Sequence, residues 1–188
     1  MTPTETLMEE HRLIEQVLDS LETAANCLDD GEPVSPAFFV DAAEFVAGFA
    51  DRCHHKKEED ILFNAMTAAG VPSDSGPIAV MLREHDAGRR STQAFRAAAE
   101  QMQAGDAGAA ADLTRHVYDY VNMLREHIAK EDIVLYPMAE QVLSADDMQA
   151  MAKQFEQILA QDEQNGSLAR YRSLATRLTE FPAAGDGG

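Results

Sequence analysis

Two short stretches of this chain carry the same chemistry. His54-His55-Lys56-Lys57-Glu58-Glu59-Asp60-Ile61-Leu62-Phe63 aligns without gaps to His127-Ile128-Ala129-Lys130-Glu131-Asp132-Ile133-Val134-Leu135-Tyr136. In each, a histidine precedes a glutamate by four residues. On a helix that spacing places an imidazole and a carboxylate on one face, a turn apart. Such a pair can offer one nitrogen and one oxygen to a shared cation. Two further histidines, His11 and His85, each follow a glutamate (Glu10 and Glu84) and extend the repeat. His11 and His85 are 74 residues apart, and His54 and His127 are 73 apart. The chain therefore reads as a duplicated helical hairpin with a pseudo-two-fold axis.

Helices must position these residues, and the breakers between them are clear. A first helix opens at Thr4 or Glu5 and runs to about Asp30, closed by Gly31-Glu32-Pro33. Ser35-Pro36 starts a second that reaches about Ala69. After the loop Gly70 to Gly76, Pro77 starts a third that ends near Gly105. A fourth runs from Asp106 or Ala107 to about Val142. Leu7, His11, Ile14, Leu18 and Leu21 form one apolar stripe, and Val117, Tyr120, Leu124, Ile128 and Leu135 another. Short loops between long helices give an up-down-up-down four-helix bundle. His11 and His85 lie about two turns inside the starts of their helices, and His54 and His127 about four turns before the ends of theirs. At about 1.5 Å per residue all four fall in one layer. Core packing alone does not require that coincidence.

Beyond the bundle, Ser144 caps a helix with Met148, Met151, Phe155, Ile158 and Leu159 at apolar positions. After Asn165-Gly166 a last helix uses Leu168, Tyr171, Leu174 and Leu178. The expected organisation is an all-α bundle over residues 1–143, a helical extension over 144–181 that covers the bundle or serves a dimer, and a disordered tail over 182–188.

Composition agrees with an all-helical fold: residues are 45% hydrophobic, aromatics are few, and there is no Trp. A net charge of −18 disfavours nucleic acid and anionic membrane surfaces. Nothing reads as a signal peptide or a membrane span, and Cys27 and Cys53 make no disulfide framework, so a cytoplasmic protein is expected. Cys53 reads as a small inert thiol. There is no phosphate loop, nucleophile elbow or Cys-x2-Cys zinc pattern.

The candidate donors are His11, His54, Glu58, His85, His127 and Glu131. Four imidazoles and two carboxylates suit two first-row metal ions, with Glu58 and Glu131 as bridges. Without metal, two carboxylates facing an apolar interior are costly to keep ionised. His55 lies about 100° round the helix from His54 and is expected to face solvent or stand behind the donors. A register in which His55 and Glu59 are donors stays open, although Ile128 aligned with His55 argues against it. His116 is too far along the axis to join. Glu10, Glu84 and Glu126 are expected to be outward charges, Arg89 solvated, and Leu62, Phe63, Leu135 and Tyr136 core.

Taken together, His11, His54-x3-Glu58, His85 and His127-x3-Glu131 resemble the hemerythrin family, in particular its HHE cation-binding branch, over roughly residues 5–143. The flanking stretches CHHKKEEDILF and REHIAKEDIVLYP strengthen the likeness. The resemblance implies a non-haem di-iron centre with a bridging oxo, hydroxo or water. Zinc and manganese are also compatible with the donor set. It further implies a small partner such as oxygen, peroxide or nitric oxide. Oxygen-carrying members have another His one turn after the third-helix donor, where this chain has Arg89. That departure favours redox chemistry or sensing over reversible oxygen transport. A peroxide- or oxygen-dependent oxidoreductase and a non-catalytic binder both fit. From a different class, a metal-free acidic bundle serving as an interaction or regulatory module is the alternative.

Overall fold

A computed structural model describes residues 1–106 and 108–181. The expected tail 182–188 lies outside the described residues, as does Ala107. Helix α1 spans Pro3–Asp29. It starts slightly earlier than the breakers alone suggest, because Thr2 and Glu5 cap it reciprocally and Pro3 occupies its first turn. Helix α2 (36–68) is a single continuous rod of changing winding. It is α-helical over Pro36–Phe45, π-helical over Val46–His55 and Glu58–Leu62, and α-helical again over Phe63–Ala68. Helix α3 spans Gly76–Gln103. Helix α4 (109–142) is α-helical over Ala109–Lys130, π-helical over Glu131–Leu135 and α-helical over Tyr136–Val142. These four form the bundle. Helix α1 neighbours α2 and α4, and α3 neighbours the same two from the other side.

Two further helices follow. Ser144 caps α5, Ala145–Gln164, through a reciprocal bond with Asp147. Gly166, at a φ of 76° that favours glycine, turns the chain into α6, Ser167–Thr179. Both helices lie against the bundle, where direct contact between α1 and α2 is sparse. They share its interior: Met151 and Phe155 of α5 pack with Leu62 and Met66, and Leu168, Tyr171, Leu174 and Leu178 of α6 join the core of α1 and α2. Leu159, expected on the apolar face of α5, is exposed.

The apolar interior is split in two. One cluster is built around Leu18, Phe45, Phe95 and Val121, the other around Leu7, Leu62, Ile78 and Tyr136. Buried polar side chains occur as well: His11, His54, His55, Glu58, His85, His127 and Glu131 are each at most 7% exposed. Burying so many ionisable groups is costly unless they are paired or hold a cation. The fold is thus an apolar bundle interrupted by one polar layer.

Candidate metal centre

All six donors anticipated from the repeat meet in that layer. His11 Nε2 lies 3.0 Å from His54 Nε2, and His85 Nε2 lies 3.1 Å from His127 Nε2. Glu131 stands between the two imidazole pairs. Its Oε2 is 3.2 Å from His11 Nε2, and its Oε1 is 3.3 Å from His127 Nε2. Glu58 Oε2 similarly faces His54 at 3.6 Å and His85 at 3.4 Å. Donors held about 2.1 Å from one ion at right angles are about 3.0 Å apart, so the spacing within each imidazole pair is one that a shared ion could accept.

The Nδ1 side of each ring fixes which nitrogen faces inward. His11 donates to Asp132 at 2.7 Å, His54 to Glu10 at 3.0 Å, His85 to Glu59 at 2.7 Å and His127 to Glu84 at 3.0 Å. A carboxylate only accepts, so each Nδ1 carries a proton, and it is Nε2 that each ring turns toward the centre, bare whenever the ring is neutral. A cation stands behind every one of these carboxylates: Arg12 on Asp132, Lys57 on Glu10, Arg89 on Glu59 and Lys130 on Glu84. Carboxylates that orient imidazoles in this way are characteristic of metal-binding histidines.

Glu10 and Glu84 are therefore not outward charges, and Arg89 is not merely solvated. Arg89 Nε also donates to Asp51 at 2.8 Å and its Nη1 to Asp86 at 3.0 Å. Glu126 is exposed, as expected, and His116 is half-buried beside Arg115 and joins neither histidine group. Both cysteines are free and buried, and burial pushes the Cys53 thiol up to about 12. Tyr136 is more than a core residue: its hydroxyl donates to Glu58 Oε1 at 2.6 Å.

Of the two places expected for His55, the structure excludes only the solvent-facing one. The residue is 7% exposed, and its ring stacks on that of His85 with centroids 3.7 Å apart. A donor atom of His55 lies within 4.8 Å of donor atoms of His85 and His127, just as those of His11, His54, Glu58 and Glu131 lie within 4.8 Å of one another. A cavity of about 170 Å³ opens on this side, lined by Asp51, His55, His85, Arg89, Tyr120 and His127 among others.

Electrostatics sharpen the demand for a cation. Burial works against charge on His11, yet its bond to Asp132 and the nearby Glu131 carboxylate raise it to about 9. His85 is raised to about 11 against burial by Glu131, Glu58 and Glu59. Burial alone would push Glu131 up, but the surrounding imidazoles hold it well below the usual carboxylate range. Burial lowers His55 to about 4, so it stays neutral. In the metal-free protein one proton thus sits within each histidine pair, where two lone pairs could not otherwise approach to 3 Å. Even so, Glu58 Oε2 and both oxygens of Glu131 have no hydrogen-bond partner among the described residues. Buried carboxylate oxygens are rarely left this way. The donor set fits metal ions.

The sequence model described as the Hemerythrin HHE cation binding domain matches residues 2–139. The chain belongs to the hemerythrin family. Uncharacterised proteins of Mycobacterium bovis and of two strains of Mycobacterium tuberculosis are each 30% identical over 158 residues, covering 83% of this chain and 60% of theirs. The chain thus spans about 60% of the length of the curated relatives it matches. No solved structure matches it. The hemerythrin match covers all four bundle helices up to Ala139 and leaves α5 and α6 outside. Among the described residues no helix is long and apolar enough to cross a membrane.

Proposed function

We propose that this hemerythrin-family chain is a cytoplasmic non-haem di-iron protein that acts on or senses oxygen, peroxide, nitric oxide or iron itself. His11 and His54 would hold one ion, His85 and His127 the other, with Glu58 and Glu131 between them. The observation that carries the reading is Glu131, whose two unpartnered oxygens face imidazole nitrogens of different pairs. A mixed nitrogen and carboxylate set suits iron, and it also accepts zinc or manganese. Bound iron would supply one-electron redox steps and a coordination position for a small ligand.

The chain's own residues do the rest. The carboxylate behind each imidazole fixes the ring's orientation. The apolar clusters on either side of the layer screen it from water except where the cavity opens beside His55, His85 and His127. The Tyr136 hydroxyl, held on Glu58 Oε1, keeps a proton at the edge of the centre. Burial and the neighbouring carboxylates raise that phenol well above its ordinary value, so it remains protonated.

Aerobic purification with iron, followed by elemental analysis and an absorption spectrum, tests the proposal. Two irons per chain and near-ultraviolet charge-transfer bands are expected, and His127→Ala should lose both. A wild-type chain that retains no metal would leave only the metal-free interaction module. Hydrogen peroxide turnover by the iron-loaded protein, absent in His127→Ala, would mark an oxidoreductase. Reversible gas binding without turnover would mark a binder or sensor.

A further inference from the structure

We propose that in this chain His55 is a fifth imidazole donor, sharing an ion with His85 and His127. The inference rests on the two-metal reading above and adds to it an asymmetry that the repeat conceals.

Position is the first argument. His55 is buried in the polar layer, and its donor atom lies in the same group as those of His85 and His127. The π winding of Val46–His55 brings this about, because it places two consecutive histidines, His54 and His55, inside the bundle. One of them joins each histidine group.

The support behind His55 is the second argument. Its Nδ1 faces Asp51 Oδ1 at 3.4 Å, and Asp51 in turn accepts from Arg89 Nε at 2.8 Å. Imidazole, carboxylate and cation follow in the same order as behind His11, His54, His85 and His127. A ring serving only as packing needs no such backing.

The third argument is how the two-fold fails. Most of the centre repeats at an offset of 73: Lys57 matches Lys130, Glu58 matches Glu131 and Glu59 matches Asp132. The counterparts of Asp51 and His55 are Leu124 and Ile128, both buried and apolar. Two polar residues one turn apart are thus exchanged together for two apolar ones. At the 74-residue offset, Arg89 has only Glu15 as its counterpart. The imidazole, its carboxylate and its cation are present together on one side and absent together on the other. That is the pattern of a third donor provided to one ion only.

The competing role is a platform that merely stacks on His85. His55→Phe separates the two, since it keeps an aromatic ring against His85 and removes the donor nitrogen. Anaerobic titration with ferrous iron, repeated with zinc, should show wild type taking two ions. His55→Phe should keep one at near-native affinity and bind the other at least about 100-fold more weakly, the upper range for losing an outer partner alone. Asp51→Asn, which leaves the imidazole in place, should weaken the same ion about ten-fold. Two ions held by His55→Phe as tightly as by wild type would overturn the inference and leave the two-metal reading intact. No ion in wild type would remove both. If His55→Phe fails to fold, a crystal structure of zinc-loaded wild type decides. A His55 nitrogen at bonding distance, about 2.1 Å, bears the inference out, and one beyond about 3 Å overturns it.

Discussion

The hydroxyl of Tyr136 lies 2.6 Å from Glu58 Oε1 and 3.3 Å from His11 Nε2, deep in the interior. The residue aligned with it in the first hairpin is Phe63, which has no hydroxyl. Tyr136→Phe would leave Glu58 with two unpartnered oxygens in the metal-free protein. Chemical denaturation of that form should show a loss of about 1–3 kcal/mol, the usual cost of removing a hydrogen bond to a buried charged group. Iron content should stay at two per chain, because no anticipated donor is removed. An unchanged denaturation midpoint would show that water replaces the hydroxyl. That the six candidate side chains share one layer was legible in the sequence because their spacing recurs at a fixed offset. The carboxylates behind them were not. An acid next to a histidine on a helix points about 100° away from it, so Glu10 cannot serve His11. It serves His54 on the neighbouring helix instead. Only the packing of α1 against α2 reveals that partnership, and the same holds for Glu84 with His127.

Helix α2 shows where sequence periodicity misleads. Its start at Pro36 and its end near Ala68 follow from Pro and Gly signals, and its apolar content follows from helical spacing. Its π windings leave no such signature. An angle of about 100° per residue, proper to an α-helix, sends His55 away from the layer that holds His54. The wider turn keeps both inside. Within the same π segment, Gly48 lies directly beneath the ring of Tyr171 from α6, and a Cβ there would come within 2.1 Å of it. Gly48→Ala should therefore push α6 off the groove between α1 and α2, at a cost of about 1–3 kcal/mol in overpacking. Tyr171→Ala should be destabilising alone, through its lost buried ring, yet should make the added Gly48→Ala nearly neutral. Urea denaturation of the two single variants and the double variant measures this coupling. Simple additivity would show that the two residues do not meet. The test also asks whether α6 belongs to the cooperative unit of the bundle, as its share in the common core requires.

Over the whole molecule the polar layer links stability to pH, and metal reverses the sense of that link. His11 and His85 are raised in the folded metal-free protein from 6.5 to about 9 and about 11. Their protonated forms therefore stabilise the fold fully below pH 6.5, and that contribution is lost as pH climbs through 9 and then 11. Glu58 and Glu131 are lowered from 4.5, so their contribution is present above that value and is lost as pH falls below it. His55 acts in the opposite sense: burial lowers it from 6.5 to about 4, so its neutral form loses stability as pH falls below 6.5. Metal-free protein should accordingly be most stable near about pH 6.5 and soften on the alkaline side. Metal ions displace the protons held within the histidine pairs, so loading at pH 7 should release about two protons and strengthen as pH rises. An ion present at a thousand times its dissociation constant adds about 4 kcal/mol. Thermal unfolding from pH 5 to 9.5, with chelator and with zinc, should therefore give melting curves that draw apart toward high pH. The chelated protein should fall while the loaded protein holds. If the chelated protein instead grew more stable between pH 7 and 9, protons would not be standing in for metal between these histidines, and the layer would need another reason to be buried.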